Sequence, residues 1–386
     1  MKKVLLRAPL LTNSGYGVHA RQIFEWLHSK KDIDLTVECL NWGQTSWLLD
    51  GNKEDGLVQK IMNHSKKNEG LYDITLQLQL PDEWDPRLGK INIGISAFVE
   101  TDKCNPAWVD RCNRMDLIIV PSNFTKDVVK RSGILTKKIK VVPEYFNQKI
   151  LDKNIEESFD QIKTSFNFLM MAQLTDLNPA NDRKNILNTI KSFCETFEGN
   201  KDVGLIIKTS TGKYSKEDKK ITTATMKNLL SKVRKTDFPR VYLLHGDMSS
   251  KEIADLYNSA KTNVFLSATR GEGYGIPLID AAAAGMPVIA TNWSGHLDFL
   301  EDNFLKIDYQ LSDIPENKID NRIFFKNFKW ASPDNNSLKH NLIRVYENYS
   351  YYKENAINHQ KSVLKNFGKE NIFNMYECIL KEIIDD

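Results

Sequence analysis

Apolar runs of strand length alternate with segments of helical period along almost the whole chain, and midway the alternation begins again. In the first half the strand candidates are Val4–Leu10, Leu35–Leu40, Ile74–Leu80, Ile91–Phe98, Leu117–Pro121 and Ile139–Pro143. Several are unbroken apolar runs, as expected of parallel strands covered on both faces. Helical segments such as Ala20–Lys30 and Thr125–Ser132 lie between them. The polar stretch Asn154–Thr164 reads as a linker, and Phe166–Gln173 opens a second series. That series runs through a helix near Asn185–Phe197, strand Val203–Lys208, a charged helix near Lys216–Val233 and strand Val241–His245. Helix Lys251–Ala260, strand Val264–Ser267, a helix from Pro277 and strand Val288–Thr291 complete it, and the tail Ser337–Asp386 is helical in composition. The pattern predicts an α/β fold of two doubly wound halves, with ligands in a cleft beside the carboxyl ends of the strands. The 386 residues suit two domains at about 150 residues each. We place them at 1–155 and 160–367, with a last helix at about 368–386 packing back on the first.

Charge and cysteine content narrow the function classes. Lys and Arg number 53 against 50 Asp and Glu, so the chain is no nucleic-acid-coating protein, although local basic clusters occur at Lys66-Lys67, Lys130-Arg131, Lys137-Lys138 with Lys140, and Lys219-Lys220. No apolar run approaches the roughly 18 residues of a membrane span. The five cysteines form no C-x-x-C pair and read as reduced thiols of a cytoplasmic protein. No zinc spacing and no P-loop occurs; Asp32-Ile33-Asp34 has the form D-x-D but reads as a turn before the second strand. No metal site is expected.

Two glycine-rich loops stand out. The first strand leads into Thr12-Asn13-Ser14-Gly15-Tyr16-Gly17-Val18-His19-Ala20. Gly15 and Gly17 let backbone N–H groups approach an anion at the start of a helix. The spacing fits G-x-G-x-x-A, and Glu38 stands where a dinucleotide site wants an acid, so an NAD(P)-dependent oxidoreductase remains an alternative beside a plain strand-to-helix turn. The second loop is Arg270-Gly271-Glu272-Gly273-Tyr274-Gly275-Ile276-Pro277, followed by an alanine run that Gly285 closes. Pro277 suits a first helical turn. The backbone at Tyr274, Gly275 and Ile276 then presents N–H groups to a phosphate or a sugar hydroxyl. Glu272 precedes the helix and Asp280, eight residues later, is expected in its first turn, so the two carboxylates can face one ligand.

The block from Glu272 to Ile289 resembles the E-x7-E region of retaining, nucleotide-sugar-dependent glycosyltransferases of the GT-B fold, family 4 type (glycosyl transferases group 1), with Asp280 in place of the second Glu. Val241–Met248 with Lys251-Glu252-Ile253 resembles the family's strand, glycine and short-helix element, and Arg183-Lys184-Asn185 its R-K-G or R-K-N. Phe98-Val99-Glu100-Thr101-Asp102 and Asp116–Phe124 resemble a subgroup. The resemblance implies two Rossmann-like domains facing across a cleft. It implies that Lys184 grips the donor diphosphate with Arg183, that Glu272 faces donor sugar and pyrophosphate, and that Asp280 holds the ribose. It further implies that Gly246 and the backbone at Met248 read the base. Where the family commonly has a strand Arg this chain has Gln173, and Arg183 or Lys208 stands as its replacement.

The implied reaction retains anomeric configuration by front-face attack, needs no cofactor, and uses a nucleotide-sugar donor, with a UDP-sugar favoured. The acceptor is a glycan or lipid-linked sugar, with a hydroxylated nucleobase of phage-type DNA as the alternative. Glu100 and Trp42 are the acceptor-side candidates, each with a plain structural reading beside it: a surface carboxylate and core packing. Trp47 shares the latter, and His19, His245 and His296 read as hydrogen-bonded histidines. The Gln173 position also leaves open a non-catalytic sugar-nucleotide binder.

Overall fold

Two six-stranded parallel sheets frame the computed structural model, which describes residues 1–65 and 70–385. The Lys66-Lys67 cluster lies outside the described residues. The first sheet contains β1 (Lys2–Ala8), β2 (Ile33–Cys39), β3 (Tyr72–Leu78), β4 (Gly89–Ile95), β5 (Leu117–Val120) and β6 (Lys138–Val141), in the order β2-β1-β3-β4-β5-β6. The second contains β7 (Phe166–Met171), β8 (Val203–Lys208), β9 (Arg240–Leu244), β10 (Val264–Ser267), β11 (Val288–Thr291) and β12 (Leu305–Ile307), in the order β12-β11-β10-β7-β8-β9. Both sheets are doubly wound. The order reverses between β1 and β3 in the first, and between β7 and β10 in the second. An antiparallel hairpin, β13 (Tyr309–Asp313) with β14 (Lys329–Pro333), follows.

By contact the chain divides into one unit of Met1–Tyr145, Asp320–Phe328 and Lys369–Asp386, and another of Phe146–Ile319 and Lys329–Gly368. In the first unit, helices α1 (Gly15–His28), α2 (Leu57–His64), α3 (Pro106–Cys112) and α4 (Asn123–Ser132) cover the sheet. Strands such as β5, buried at every residue, need cover on both faces, which is why they read as unbroken apolar runs. Ser14 caps α1: its Oγ accepts from Gly17 N at 2.9 Å. The residues after the hairpin's first strand return to this unit. Arg322 donates through Nε to Asp82 and through Nη2 to Glu83, each at 2.7 Å.

The second unit carries α5 (Ile186–Thr196), α6 (Lys216–Val233), α7 (Ser250–Asn258), α8 (Ile276–Ala283), α9 (Leu297–Leu300), α10 (Asn335–Glu347) and α11 (Tyr349–Asn366). The last helix, α12 (Lys369–Asp385), belongs to the first unit, where Ile372, Tyr376 and Ile379 join the core and Tyr376 stacks on Trp26 at 4.9 Å. The stretch 154–164, read from its composition as a linker, packs on the second unit. Phe159 and Ile162 are buried in its core, and Asp255 accepts from the backbone N–H groups of Glu156 and Glu157. Two apolar residues spaced three apart anchor an otherwise polar segment, a signal that composition averages away.

Several strands of the first sheet end two or three residues earlier than their apolar runs. Leu10, Leu80 and Phe98 continue the run but sit buried in the loops beyond the strand ends. Such buried loops require close approach, and Gly17 shows how close. A Cβ on it would lie 2.1 Å from the Thr12 carbonyl oxygen. Gly17→Ala should therefore destabilise the protein by about 2–3 kcal/mol through overpacking against backbone, read as a lower urea midpoint, whereas an unchanged midpoint would show that α1 shifts freely.

Candidate active site of the second unit

Open doubly wound sheets bind ligands beyond the carboxyl ends of the strands where the order reverses. In the second unit those strands are β7 and β10, and the two loops singled out by sequence follow them: Asp182–Asn185 leads into α5, and Arg270–Gly275 leads into α8. Asp182 builds the first loop. Its Oδ1 accepts from Thr175 Oγ1 at 2.6 Å, and its Oδ2 accepts from Ile186 N at 2.7 Å. Asn185 adopts a left-handed backbone (φ 54°) and donates from Nδ2 to Ala268 O at 3.0 Å. Asn tolerates this conformation better than most residues, which explains a Gly or Asn after the Arg-Lys pair.

Lys184 is thereby aimed at the second loop. Its Nζ lies 2.6 Å from Glu272 Oε1 and 2.7 Å from Oε2. Only 17% of the lysine side chain and 11% of the glutamate side chain are exposed, so this is an ion pair withdrawn from water. Burial alone would raise the Glu272 carboxyl, but the charges of Lys184 and Arg183 outweigh it and hold the group below the usual carboxylate range. Arg183 also donates from Nη1 to Gly271 O at 3.0 Å. Glu272 N donates to Ser294 Oγ at 2.9 Å, and Glu272 O accepts from Gly295 N at 2.9 Å. A Cβ on Gly295 would sit 2.1 Å from Gly273 O, so the loop after β11 lies directly against the Glu272 loop.

Gly275 caps α8 with φ 106°, a conformation only glycine adopts readily. Pro277 lies in the first turn as expected. The Tyr274 ring is buried against Phe299 at 5.1 Å. Asp280 is not in the first turn: it is the fifth residue of α8 and turns to Asn147, whose backbone N–H it accepts at 2.7 Å. The geometry therefore does not set Glu272 and Asp280 as matched jaws. Burial, opposed only by that one N–H, pushes the Asp280 carboxyl up to about 7.

Three residues to which sequence reasoning gives no role in the site complete it. Arg270 is buried, donates from Nε to Asp182 O at 3.2 Å, and stacks over Trp330 at 5.4 Å, tying the two loops together. Ser294, at φ 93°, holds Glu272. His296 lies against the same loop with Nε2 donating to Thr291 O at 2.7 Å, and its fully buried Nδ1 finds no partner among the described residues. In the sequence Arg270 has a signal as the residue opening the glycine loop, His296 reads as a hydrogen-bonded histidine, and Ser294 has none.

Other candidates fall elsewhere. Lys208 does not join the Lys184 group: its Nζ donates to Gly246 O at 2.7 Å. Gln173 donates weakly to Thr211 O at 3.3 Å. Met248 is half-buried against the core ahead of α7. Gly15, Gly17, Glu100 and Trp42 belong to the first unit. There Gly15 is exposed, and Trp42 stacks on Tyr16 at 3.8 Å. Tyr16 OH accepts from Ala97 N at 3.0 Å, in the loop after β4 that carries Glu100, which therefore lies beyond the strand. Glu38 is engaged by Arg7 Nε at 3.1 Å, which weighs against a ribose-binding role. His19 is buried near Tyr376 OH at 3.2 Å, and burial pulls it down to about 3, so it stays neutral.

Residues 184–310, which contain the Lys184, Glu272 and Asp280 segments, match the family model described as glycosyl transferases group 1. The chain is a glycosyltransferase. No curated protein sequence matches it. Solved structures share the fold of this glycosyltransferase at low identity. Sucrose-phosphate synthase from Thermosynechococcus elongatus is 15% identical over 100% of both chains, with a TM-score of 0.66. A glycosyltransferase from Rickettsia africae is 13% identical over 100% of this chain and 99% of that one, at 0.65. Anabaena Alr3699/HepE, solved in complex with UDP and glucose, is 11% identical over 99% and 100%, also at 0.65. The fold is GT-B, two Rossmann-like units. No described helix of the glycosyltransferase is long and apolar enough to cross a membrane.

The Asp280 carboxyl gives the glycosyltransferase a signature in stability. Its folded value of about 7 lies above the ordinary 3.8, so the folded state binds the extra proton between those values. Stability then falls as pH rises through that window, by about 1.4 kcal/mol per unit of displacement at most. Asp280→Asn keeps an acceptor for Asn147 and removes the titration. The wild-type minus variant stability should fall from pH 5 to pH 7.5 and leave Asp280→Asn about 1–2 kcal/mol the more stable at pH 8. Parallel curves would contradict the buried, uncompensated carboxyl.

Proposed function

We propose that this glycosyltransferase moves a hexosyl or pentosyl group from a nucleoside diphosphate sugar, a UDP-sugar in first place, to an acceptor hydroxyl with retention at the anomeric carbon. The observation that carries the reading is the Lys184–Glu272 ion pair at the start of α8. Departure of the leaving group builds negative charge on a diphosphate and positive charge on the sugar. A cation, a carboxylate and N–H groups at a helix start are the groups that match those charges, and groups held in place before reaction need no reorganisation. In the resting protein the two side chains neutralise each other. With a donor bound, Lys184 turns to the diphosphate, supported by Arg183, and Glu272 is released to the sugar. The bond from the anomeric carbon to the phosphate oxygen breaks, and its electron pair stays on the phosphate. The acceptor oxygen bonds to the same carbon from the same face, and its proton passes to the departing phosphate oxygen. No side chain forms a covalent intermediate.

Asp280 remains the candidate for the ribose, and the backbone at Tyr274–Ile276 for the phosphates. Glu100 and Trp42 are the acceptor-side candidates of the first unit, for a glycan or lipid-linked sugar, while Gly15 and Gly17 remain candidates for a donor's anionic groups. The Tyr16–Trp42 stack favours a sugar over a DNA phosphate, because aromatic faces pack on pyranose C–H groups and carry no positive charge.

Nucleotide protection tests the donor class. A nucleoside diphosphate at about a hundred times its Kd should stabilise the protein by about 2–3 kcal/mol against thermal unfolding; protection by NADH and by no nucleoside diphosphate would overturn the reading. Lys184→Ala should lower kcat about a hundredfold or more. It should also lower stability by about 2–3 kcal/mol, because Glu272 loses its partner in a dry site, and a double variant Lys184→Met with Glu272→Leu should recover much of that stability and none of the activity. Near-normal turnover in Lys184→Ala would remove the lysine from the mechanism.

A further inference from the structure

Lys208 is a buried cation with no carboxylate. Only 6% of the residue is exposed, and among the described residues no ion pair reaches it. Its ammonium is held by the Gly246 carbonyl at 2.7 Å and by the face of the Tyr214 ring at 4.4 Å. Burying an ammonium against neutral groups is costly, and the surroundings are built to keep it there. Asp218, in the first turn of α6, accepts from the backbone N–H groups of Thr211 at 2.9 Å, Lys213 at 2.9 Å and Tyr214 at 3.0 Å. Burial would raise this carboxyl, but those N–H groups outweigh it and hold it well below the usual range. Four donors, counting Thr222 Oγ1 at 3.0 Å, thus lock the loop between β8 and α6, with Tyr214 at φ 53° and its ring over the lysine. Gly246 stands at φ 136°, a backbone that turns its carbonyl to Lys208 and that a side chain would strain. Lys208 therefore clamps the turn 246–249 between β9 and α7 to the end of β8.

That turn lies beside the α8 site. Asn147 joins them: its backbone N–H reaches Asp280 at 2.7 Å, and its Nδ2 reaches Ser250 O, in the first turn of α7, at 2.6 Å. Tyr257 OH of α7 also donates to Pro277 O at 2.9 Å. On the nucleotide-sugar reading, a donor with its diphosphate at the start of α8 and its ribose toward Asp280 extends its base toward the turn 246–249. We infer that Lys208, through the Gly246 carbonyl and under the Tyr214 ring, is a positioning residue that fixes the base-facing turn and sets which nucleobase the glycosyltransferase accepts. This rests on the nucleotide-sugar reading of the second unit. Lys208 touches neither diphosphate nor sugar in this arrangement, so its loss acts on the base alone.

The test is calorimetric binding of UDP, GDP and inorganic pyrophosphate to the full chain and to Lys208→Met, Lys208→Arg and Tyr214→Leu. Lys208→Met should weaken the preferred nucleotide about tenfold, leave pyrophosphate within roughly twofold, and reduce the UDP-to-GDP preference. Lys208→Arg, which still reaches a carbonyl and stacks on a ring, should keep most of both. Tyr214→Leu should move the same quantities in the same direction by a smaller factor, and it carries the test if Lys208→Met does not fold. Equal losses for pyrophosphate and nucleotide would place Lys208 at the diphosphate and overturn the inference, as would unchanged nucleotide affinity and preference. If wild-type protein binds pyrophosphate and neither nucleotide, the nucleotide reading itself fails and the inference falls with it.

Discussion

A cation and an anion withdrawn from water must neutralise each other, and the pair formed by Lys184 and Glu272 imposes that demand on the whole carboxyl edge of the second sheet. The two residues come from loops 88 positions apart in sequence, after strands that are neighbours at the reversal point. Every unusual local feature nearby serves to bring them together. Asp182 turns the first loop back on itself, Asn185 accepts a left-handed backbone, Arg270 ties one loop to the other, and Ser294 with Gly295 presses the second loop into place. Such a pair contributes little to stability beyond what a well-packed apolar pair would. Its retention is understandable if a ligand replaces one partner by a better one.

The same unit holds a second arrangement with a different logic. Around Lys208 nothing waits for an incoming charge. The ammonium is bound by a carbonyl and a ring, and the loop that supplies the ring is fastened by a saturated carboxylate. On the proposed function the first pair exchanges partners when a donor binds, whereas the contacts around Lys208 are all within the protein. Asn147 connects them at the start of the second unit. A transferase needs both properties, since bond breaking asks for charge that can be redirected and selectivity asks for a surface that does not yield.

Much of this was legible in the residues. Largely apolar runs such as Val203–Lys208 and Val288–Thr291 coincide with their strands, because burial on both faces favours apolar side chains. The glycine before Pro277 marked the helix start for the same steric reasons seen in the structure. What stayed hidden depended on tertiary partners. The three-residue β12 is too short to show a period, and the hairpin β13–β14 is exposed along much of its first strand, so neither carries an apolar signature. Asp280 read as a ligand-facing carboxylate, yet its main contact is a backbone N–H far away in sequence. Lys208 read as a spare cation for the diphosphate, because nothing in its own neighbourhood announces the carbonyl that holds it 38 residues on.

The central claim is that Lys184 exchanges Glu272 for a diphosphate at the start of α8. A crystal structure of the protein with UDP tests it most directly. The account predicts Lys184 Nζ at about 3 Å from an oxygen of the terminal phosphate and withdrawn from Glu272. UDP bound elsewhere, or Lys184 still on Glu272 with the phosphates held by other groups, would contradict it.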